Sequence, residues 1–192
     1  QEPLHSEADH PTFSGSCPEV FREFFRLLDN LTDLPAMPGN RCELMYGGEA
    51  VYGAMEAAID AARHSVHLQT YILDDDEVGR SLLEAMARRA ESGVAVRVLV
   101  DGLGSNTFPV HRVKQFRRRG VDIRMLRQIR PLRGRFAINL RNHRKLLIID
   151  GHVAFTGGMN ISRHHLLQRP HGDPVLDYHT RVEGPAVNHL QR

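Results

Sequence analysis

Two periods of apolar residues alternate along this sequence, and together they predict its secondary structure. Short apolar runs with a period of two predict strands, and the clearest are SVHLQTYIL from Ser65, VAVRVLVD from Val94 and VDIRML from Val121. Between these runs, apolar residues recur every three or four positions, as on one face of a helix. Repeated strand and helix units of this length predict an α/β fold, in which helices pack on the faces of one β-sheet.

Turn and cap residues set approximate boundaries for these elements. We expect helices over residues 16–30, 49–63, 76–92 and 110–119, strands near residues 42–46, 65–73, 94–101, 121–126 and 178–182, and a helix start at Pro185. Residues 1–16 show no period and are interpreted as a flexible leader, followed by a single domain over residues 17–192. The broad apolar face of the first helix favours core packing, with a membrane-surface role as the alternative.

Composition excludes several classes of protein. The two cysteines, Cys17 and Cys42, provide no disulfide framework and no cysteine metal site. No apolar run approaches the roughly 20 residues that cross a bilayer, so we expect any membrane contact to be peripheral. The chain starts with Gln and ends within a predicted helix, and we therefore expect it to be a piece of a longer polypeptide.

The net charge of +2 hides a basic segment. The 29 residues from Arg117 to Lys145 contain 11 Lys or Arg and a single acid, Asp122. A local basic field favours an anionic partner, either nucleic acid or a phospholipid headgroup. The alternative is a solvated basic face without a specific partner.

The dipeptide Asp150–Gly151 lies between two apolar runs in the segment NHRKLLIIDGHVAFTGGMN. A two-residue Asp-Gly loop is typical of a β-hairpin, and it would place Lys145 opposite Thr156 and His143 opposite Gly158. Side chains on one face of a strand recur every second residue, so we expect these polar groups on one side of the hairpin. A three-residue loop would shift this register by one position.

The predicted face carries the groups that phosphoryl transfer requires. His143 can attack as a neutral imidazole, because histidine has an ordinary pKa of about 6.5. Lys145 and Asn160, on the same predicted face, can bind the non-bridging oxygens where charge accumulates. Gly158 would leave room for the phosphorus to approach. This chemistry needs no metal and no cofactor, and the alternative is a hairpin that carries His and Lys by chance.

The spacing in this segment resembles the HKD signature of the phospholipase D superfamily, HxK, four residues, Asp, six residues, GGxN. Six residues fill its positions, namely His143, Lys145, Asp150, Gly157, Gly158 and Asn160. From about Phe21 to Arg192 the sequence resembles the N-terminal half of a bacterial cardiolipin synthase-like protein, most clearly in the segments NHRKLLIIDG, AFTGGMNIS and EGPAV. The resemblance implies a phospholipase D-like mixed β-sheet with helices on both faces.

The resemblance also implies a covalent mechanism. In that family the motif histidine, here His143, forms a phosphohistidine with a phosphatidyl group, a second histidine from another motif copy protonates the leaving alcohol, and an acceptor alcohol completes the transfer. Asp177 would match the family carboxylate that bonds the nucleophile's other ring nitrogen. The chain departs from the family in lacking the Trp that usually stands two positions before that carboxylate. Asp150 and Gly157 are expected to be structural.

A second motif copy is absent from these residues, although the reaction needs a general acid. We expect either that the natural chain continues past Arg192 with a second copy or that two chains pair. Cardiolipin synthases carry both copies in one chain, which favours the first. Two further features stay open: His164–His165 as a metal-binding pair, and Asp101 as either a site residue or the cap of a turn.

Three functions follow as alternatives. The first is a cardiolipin synthase-like phosphatidyltransferase, which meets an anionic phospholipid such as phosphatidylglycerol at the cytoplasmic face of the bacterial inner membrane and is inactive as an isolated half. The second is a phospholipase D-type phosphodiesterase or nuclease, which acts as a homodimer and grips nucleic acid through the basic segment. The third is a half-domain that binds phosphate without turnover.

Overall fold

The structure, a computed structural model, describes residues 19–31, 38–126, 143–168 and 172–191. The chain divides into two units, Gln1–Asn40 and Arg41–Arg192. In the first unit, helix α1 spans Glu19–Leu31 and confirms the helix predicted there. Most of the basic segment, residues 127–142, and the leader lie outside the described residues.

The second unit contains the remaining elements, in the order that the periodicity predicts. They are β1 (Arg41–Tyr46), α2 (Gly48–Ala61), β2 (Ser65–Thr70), α3 (Glu77–Glu91), β3 (Ala95–Asp101), α4 (Val110–Arg118), β4 (Asp122–Leu126), β5 (Leu146–Ile149), β6 (Val153–Gly157), β7 (Tyr178–Glu183) and α5 (Ala186–Leu190). A 3-10 turn at Arg163–His165, which the sequence did not predict, precedes β7. The helix start predicted near residue 76 is confirmed, and Asp76 is the N-cap of α3, because its carboxylate accepts a hydrogen bond from the Gly79 N–H at 3.0 Å.

The described strands form one seven-stranded mixed sheet in the order β1-β7-β6-β5-β2-β3-β4. Strands β2, β3 and β4 are parallel, because α3 and α4 carry the chain back between them. The other four strands pair antiparallel, and β5 joins the two parts by pairing with β2. The predicted mixed α/β sheet is therefore confirmed.

Helices cover the two faces of the sheet unequally. Helices α2, α3 and α4 share one apolar cluster with the inward residues of the strands, and its largest sheet residues include Phe155, Leu147 and Ile123. Burial of each such side chain stabilises the fold by about 1.5–3 kcal/mol. On the other face, Val187 of the short helix α5 packs with Ile148 and other strand residues in a smaller cluster. Helices thus lie on both faces, as predicted.

The predicted register of the β5–β6 hairpin is wrong by one position. Leu146 pairs with Thr156 and Ile149 pairs with Val153, so the loop has three residues, from Asp150 to His152. Asp150 takes a positive φ of 52° while its carboxylate accepts hydrogen bonds from backbone N–H groups outside the hairpin. Those distant contacts favour the longer loop, and the two-residue rule considers only the local turn. Thr156 consequently pairs with Leu146 instead of Lys145.

Candidate active site

The two basic residues of the motif lie in the segment that enters β5. The Lys145 ammonium is 2.9 Å from Nδ1 of His143 and 2.9 Å from the His143 carbonyl oxygen. Lys145 is buried, with 7% of its surface exposed. Burial lowers the pKa of its amine, and the nearby Asp177 carboxylate opposes that shift. The predicted proximity of a histidine and a slender cation is therefore present, although the predicted strand pairing is not.

The contact between these residues determines which nitrogen of His143 is free. A lysine ammonium can only donate, so Nδ1 of His143 accepts from Lys145 and a neutral ring carries its proton on Nε2. The ring also packs on Tyr71, with centroids 4.6 Å apart, and Lys145 Nζ lies 5.8 Å from the Tyr71 ring centroid. Tyr71, the residue after β2, therefore contacts both side chains from one side.

The two motif glycines allow β7 to approach closely, and the predicted role of Gly158 needs correction. A Cβ at Gly157 would lie 2.5 Å from the Tyr178 carbonyl oxygen and 2.9 Å from Nδ1 of His179. A Cβ at Gly158 would overlap the Asp177 carboxylate, and the Gly158 N–H donates to the Tyr178 carbonyl. The space beside Gly158 is thus filled by Asp177 and was wrongly assigned to an approaching phosphorus.

Asp177 lies at the site, but the hydrogen bond expected from it is not formed. Its side chain is half-buried, and Oδ1 accepts from the Tyr178 backbone N–H at 2.7 Å. Nδ1 of His143, the expected partner, faces Lys145 instead. The Asp177 carboxylate packs on Gly158 of the motif, and its charge opposes the lowering of the Lys145 pKa. The role of Asp177 as the partner of the nucleophile stays a prediction.

Asn160 is restrained on its side chain and on both sides of its backbone. Its Oδ1 accepts from the Ile72 N–H at 3.1 Å, its carbonyl oxygen lies 2.7 Å from the Tyr52 hydroxyl, and its N–H donates to Nε2 of His165 at 3.2 Å. Fixing Oδ1 leaves the two N–H donors of Nδ2, which suit phosphate oxygens. Ile72 follows Tyr71, so one turn of chain after β2 touches both His143 and Asn160.

A cleft of about 530 Å³ opens beside His143 and Lys145. Its lining includes His143, Lys145, Thr156, Gly157 and Thr180. The volume accommodates a phosphodiester group and part of its substituents. The structure thus brings His143, Lys145 and Gly157 to one concave surface, and Thr156 reaches it through its hydroxyl, which donates to the Lys145 carbonyl at 3.1 Å.

Sequence reasoning missed four residues that support the site and singled out His165 only as a metal ligand. The four are Tyr52, Tyr71, Ile72 and His179. His179 is buried behind Gly157, and neither ring nitrogen has a hydrogen-bond partner in the part of the chain that the structure describes. Burial lowers the pKa of His179 to about 4; Asp177 opposes this shift, whereas His165 and Lys145 add to it. The sequence did carry a signal for His179: side chains alternate between the two faces of a strand, so in DYHT His179 and Tyr178 lie on opposite faces, and Tyr178 is the exposed one.

Asp150 and Asp101 both bind backbone N–H groups. The Asp150 carboxylate accepts from Arg63, His64 and Ser65 at 2.7–2.8 Å, and thereby ties the hairpin to the start of β2. Burial alone would raise the pKa of Asp150, but these three donors lower it. Asp101 accepts from the backbone N–H groups that follow β3, which is the turn-cap alternative for that residue.

The metal alternative for His164–His165 finds no support. Both ring nitrogens of His165 are engaged, one with the Asn160 N–H and one with the Val175 carbonyl. Across residues 19–31, 38–126, 143–168 and 172–191, no group of His, Cys, Asp or Glu side chains is arranged to hold a metal ion. Nor does that part of the chain contain a helix with the length and apolar character of a membrane span.

Part of the basic segment forms ion pairs and hydrogen bonds within the protein. Arg119 pairs with Glu84 and Glu91, and Arg124 pairs with Asp122. Arg117 donates to the Ile123 carbonyl at 2.6 Å and 2.9 Å. The described portion of the segment therefore contributes less free positive charge than its composition suggests.

Comparison with protein families matches residues 55–172 to the family described as "Cardiolipin synthase, PLD-like domain". Over 166 residues the chain is 36% identical to cardiolipin synthase A of Pseudomonas putida strain GB-1, which covers 86% of this chain and 35% of that protein. It is 37% identical, over the same length, to cardiolipin synthase A of Pseudomonas aeruginosa strain PAO1, with 86% and 34% covered. The chain thus spans about a third of the length of these curated relatives.

Two solved structures have a similar fold. Nuc from Salmonella typhimurium, a phospholipase D family member, superimposes with a TM-score of 0.57 at 16% identity, covering 80% of this chain and 90% of that chain. The phosphatidylserine synthase of Haemophilus influenzae superimposes with a TM-score of 0.57 at 15% identity, covering 74% and 33%. At these identities the likeness concerns the fold alone.

Proposed function

The chain belongs to the cardiolipin synthase family of phospholipase D-like domains, and from this premise we propose that it is the N-terminal catalytic half of a phosphatidyltransferase that uses His143 as its nucleophile. The observation that carries the proposal is the contact between His143 and Lys145 in the lining of a cleft. Asp177 acts electrostatically on Lys145, and Asn160 is held by Ile72, the neighbour of the Tyr71 that packs on His143. A nucleophile and a cation within one cleft suit a phosphodiester better than a carbonyl substrate.

The proposed first step couples substrate binding to activation of His143. An anionic phosphodiester at Lys145 competes for the ammonium donors and releases Nδ1 of His143. The ring proton then resides on Nδ1, where Asp177 can accept it in a hydrogen bond, and Nε2 presents its lone pair. Nε2 forms a bond to phosphorus while the bond from phosphorus to the leaving glycerol oxygen breaks.

The proton for the leaving oxygen comes from a second histidine that is not among the residues of this sequence. Among the described residues His179 is buried and His165 is engaged on both nitrogens, so neither suits that task. We propose that a second motif copy supplies the acid, in the same polypeptide or from a second chain. The length of the curated relatives, about three times the aligned segment, supports the first arrangement.

The proposed second step reverses the roles of these groups. The second histidine, now unprotonated, takes the proton from an acceptor hydroxyl, and the acceptor oxygen attacks phosphorus. The bond between phosphorus and Nε2 breaks and restores neutral His143. Lys145 and the Asn160 amide stabilise the non-bridging oxygens in both steps, because charge accumulates there each time.

The proposed partner is an anionic phospholipid such as phosphatidylglycerol, met peripherally at the cytoplasmic face of the bacterial inner membrane. The family membership and the names of the curated relatives support this choice. A second candidate is a homodimeric phosphodiesterase or nuclease. It is favoured by one observation, that the fold shared with Nuc covers 90% of that chain, which is about one such domain.

The test uses the complete protein encoded by the native gene. After incubation with phosphatidylglycerol labelled in its phosphate and an acid-free quench, we expect an alkali-stable, acid-labile label on His143 that disappears in His143→Ala. His152→Ala, an exposed histidine in the hairpin loop, is the matched control and should retain the label. Cleavage of DNA without any lipid product would contradict the phosphatidyltransferase proposal and support the second candidate.

A further inference from the structure

A buried imidazole joins two chain segments that border the site. His165 has 5% of its surface exposed and closes the 3-10 turn after the motif. Its Nε2 lies 3.2 Å from the Asn160 backbone N, and its Nδ1 lies 3.0 Å from the Val175 carbonyl oxygen. A backbone N–H only donates and a carbonyl only accepts, so Nε2 carries a lone pair and Nδ1 carries the proton. Both contacts together require one tautomer of the neutral ring.

The two segments joined in this way carry different parts of the site. Asn160 is the last residue of the motif, and Val175 stands two residues before Asp177. The connection is doubled, because the Val175 N–H donates to the His164 carbonyl at 2.8 Å. Since Asp177 packs directly on Gly158, a shift of residues 173–177 relative to the motif would move the carboxylate. The His165 ring therefore fixes the separation between Asn160 and Val175, and the position of the Asp177 carboxylate depends on that separation.

Of the polar groups of Asn160 described above, the backbone N–H is the one that bonds to His165. Ile72 holds the side-chain oxygen, and Tyr52 holds the carbonyl oxygen. Tyr52 also lies 2.9 Å from the Ser162 carbonyl, so its single hydroxyl proton serves two acceptors. The Nε2 acceptor of His165 is thus a separate restraint on the Asn160 peptide, and its loss would allow the peptide to rotate and the amide of Asn160 to turn.

We propose that His165 is a positioning residue of this site, which holds the Asn160 amide and the Asp177 carboxylate in place around His143 by bridging Asn160 and Val175 as a neutral imidazole. The proposal rests on the proposed function, and it concerns a residue outside the HKD spacing. An aliphatic side chain of similar size would fill the space but would leave the half-buried Asn160 N–H without an acceptor. The exposed Val175 can pair with water instead, so the Asn160 contact matters more.

Two substitutions separate the two contacts of the ring. His165→Gln places an amide oxygen near the position of Nε2 and retains an acceptor for Asn160. His165→Asn places an N–H donor near the position of Nδ1 and retains only the Val175 contact. His152→Gln, on the exposed histidine of the hairpin loop, is the matched control. Each variant is made in the complete protein.

The measurements are the rate of phosphohistidine formation in a single turnover, kcat and KM for phosphatidylglycerol, and the melting temperature. We expect His165→Asn to lower kcat and the single-turnover rate by about 10- to 100-fold with KM changed less than about two-fold, because a displacement of about 1 Å costs about 100-fold. His165→Gln should recover most of that rate, and His152→Gln should equal the wild type.

Rates for His165→Asn within about two-fold of the wild type would overturn the proposal. Equal losses in the Asn and Gln variants would also overturn it, because packing alone would then explain the effect. His143→Ala serves as the separate test of the proposed function. If it retains the phosphohistidine, the nucleophile assignment fails; if it loses the label while the two His165 variants match each other, only the positioning role fails.

Discussion

Gly158→Ala gives the sharpest test of how this site is built. The added methyl group would overlap both oxygens of the Asp177 carboxylate, whereas the backbone at Gly158 does not have a positive φ and accepts alanine. To reach ordinary van der Waals contact, the carboxylate must move by about 1 Å or more, since close carbon–oxygen contacts below about 3.4 Å are repulsive. The substitution therefore displaces Asp177 without deleting it.

The expected loss is larger in activity than in stability. A displacement of about 1 Å in a catalytic group lowers the rate by about 100-fold, equivalent to about 2.7 kcal/mol in the activation free energy. Asp177 is only half-buried, so its side chain can turn toward solvent, and we expect the free energy of unfolding to fall by about 1 kcal/mol. Single-turnover phosphohistidine formation and urea denaturation of the complete protein measure the two quantities.

Gly53→Ala provides the matched control. Gly53 is exposed in helix α2, and a Cβ there meets no atom within 4 Å. Alanine in a helix interior is favoured over glycine by about 1 kcal/mol, so this variant should be fully active and slightly more stable. A Gly158→Ala enzyme with wild-type rates would refute the reasoning, because Asp177 would then have no required position beside Gly158.

Three further substitutions test other contacts of the site. Asp150→Asn should lower the free energy of unfolding by about 2 kcal/mol, since the carboxylate accepts three backbone N–H bonds. Because the folded pKa of Asp150 is lowered, this stabilisation is present above its unfolded pKa and is lost as pH falls through the folded pKa. Equal stabilities of wild type and variant in urea titrations at neutral pH would contradict this prediction. Tyr71→Phe should retain activity because the ring contact with His143 persists, whereas Tyr71→Ala should lower kcat by about 10-fold; equal kcat values for the two would show that the ring is unnecessary. Lys145→Arg should lower kcat by about 100-fold despite its positive charge, because a planar guanidinium does not fit the buried position of a slender amine, and a fully active variant in the same turnover assay would be inconsistent with that geometry.

Much of the fold follows from local signals that the sequence carries. The N-cap at Asp76 and the period-two run of β3 depend on neighbouring residues, and both elements occur where expected. The strand order β1-β7-β6-β5-β2-β3-β4 does not follow from such signals, because it depends on contacts between residues far apart in the chain. The family resemblance, and not periodicity, implied a mixed sheet.

The hairpin register shows how a tertiary contact overrides a local rule. Asp150–Gly151 predicts a two-residue loop when only the flanking strands are considered. The Asp150 carboxylate instead binds the start of β2, more than 80 residues earlier in the chain, and the loop takes three residues. The motif nevertheless brings Lys145 to His143, because their separation of two residues allows the contact in either register.

The composition of the site was predictable from the motif, but its support was not. His143, Lys145 and Asn160 belong to a spacing that can be read directly, whereas Tyr71 and His165 act through contacts with them. Gly158 was interpreted as space for the phosphorus, because nothing in the sequence pattern shows that Asp177 packs on Gly158. Residues whose role depends on a partner far away in sequence leave no periodic signal.

The contact between Lys145 and His143 has a mechanistic consequence for the proposed enzyme. While Lys145 donates to Nδ1, the neutral ring keeps its proton on Nε2, the nitrogen that must attack phosphorus. We therefore expect the phosphodiester that Lys145 binds to be also the group that releases Nδ1, so that substrate binding makes the nucleophile competent. Water entering the empty cleft cannot compete for the ammonium as strongly as an anion does. If this coupling operates, a nitrogen-15 spectrum of the His143 ring should change tautomer when inorganic phosphate is added, and Lys145→Gln should lose that response.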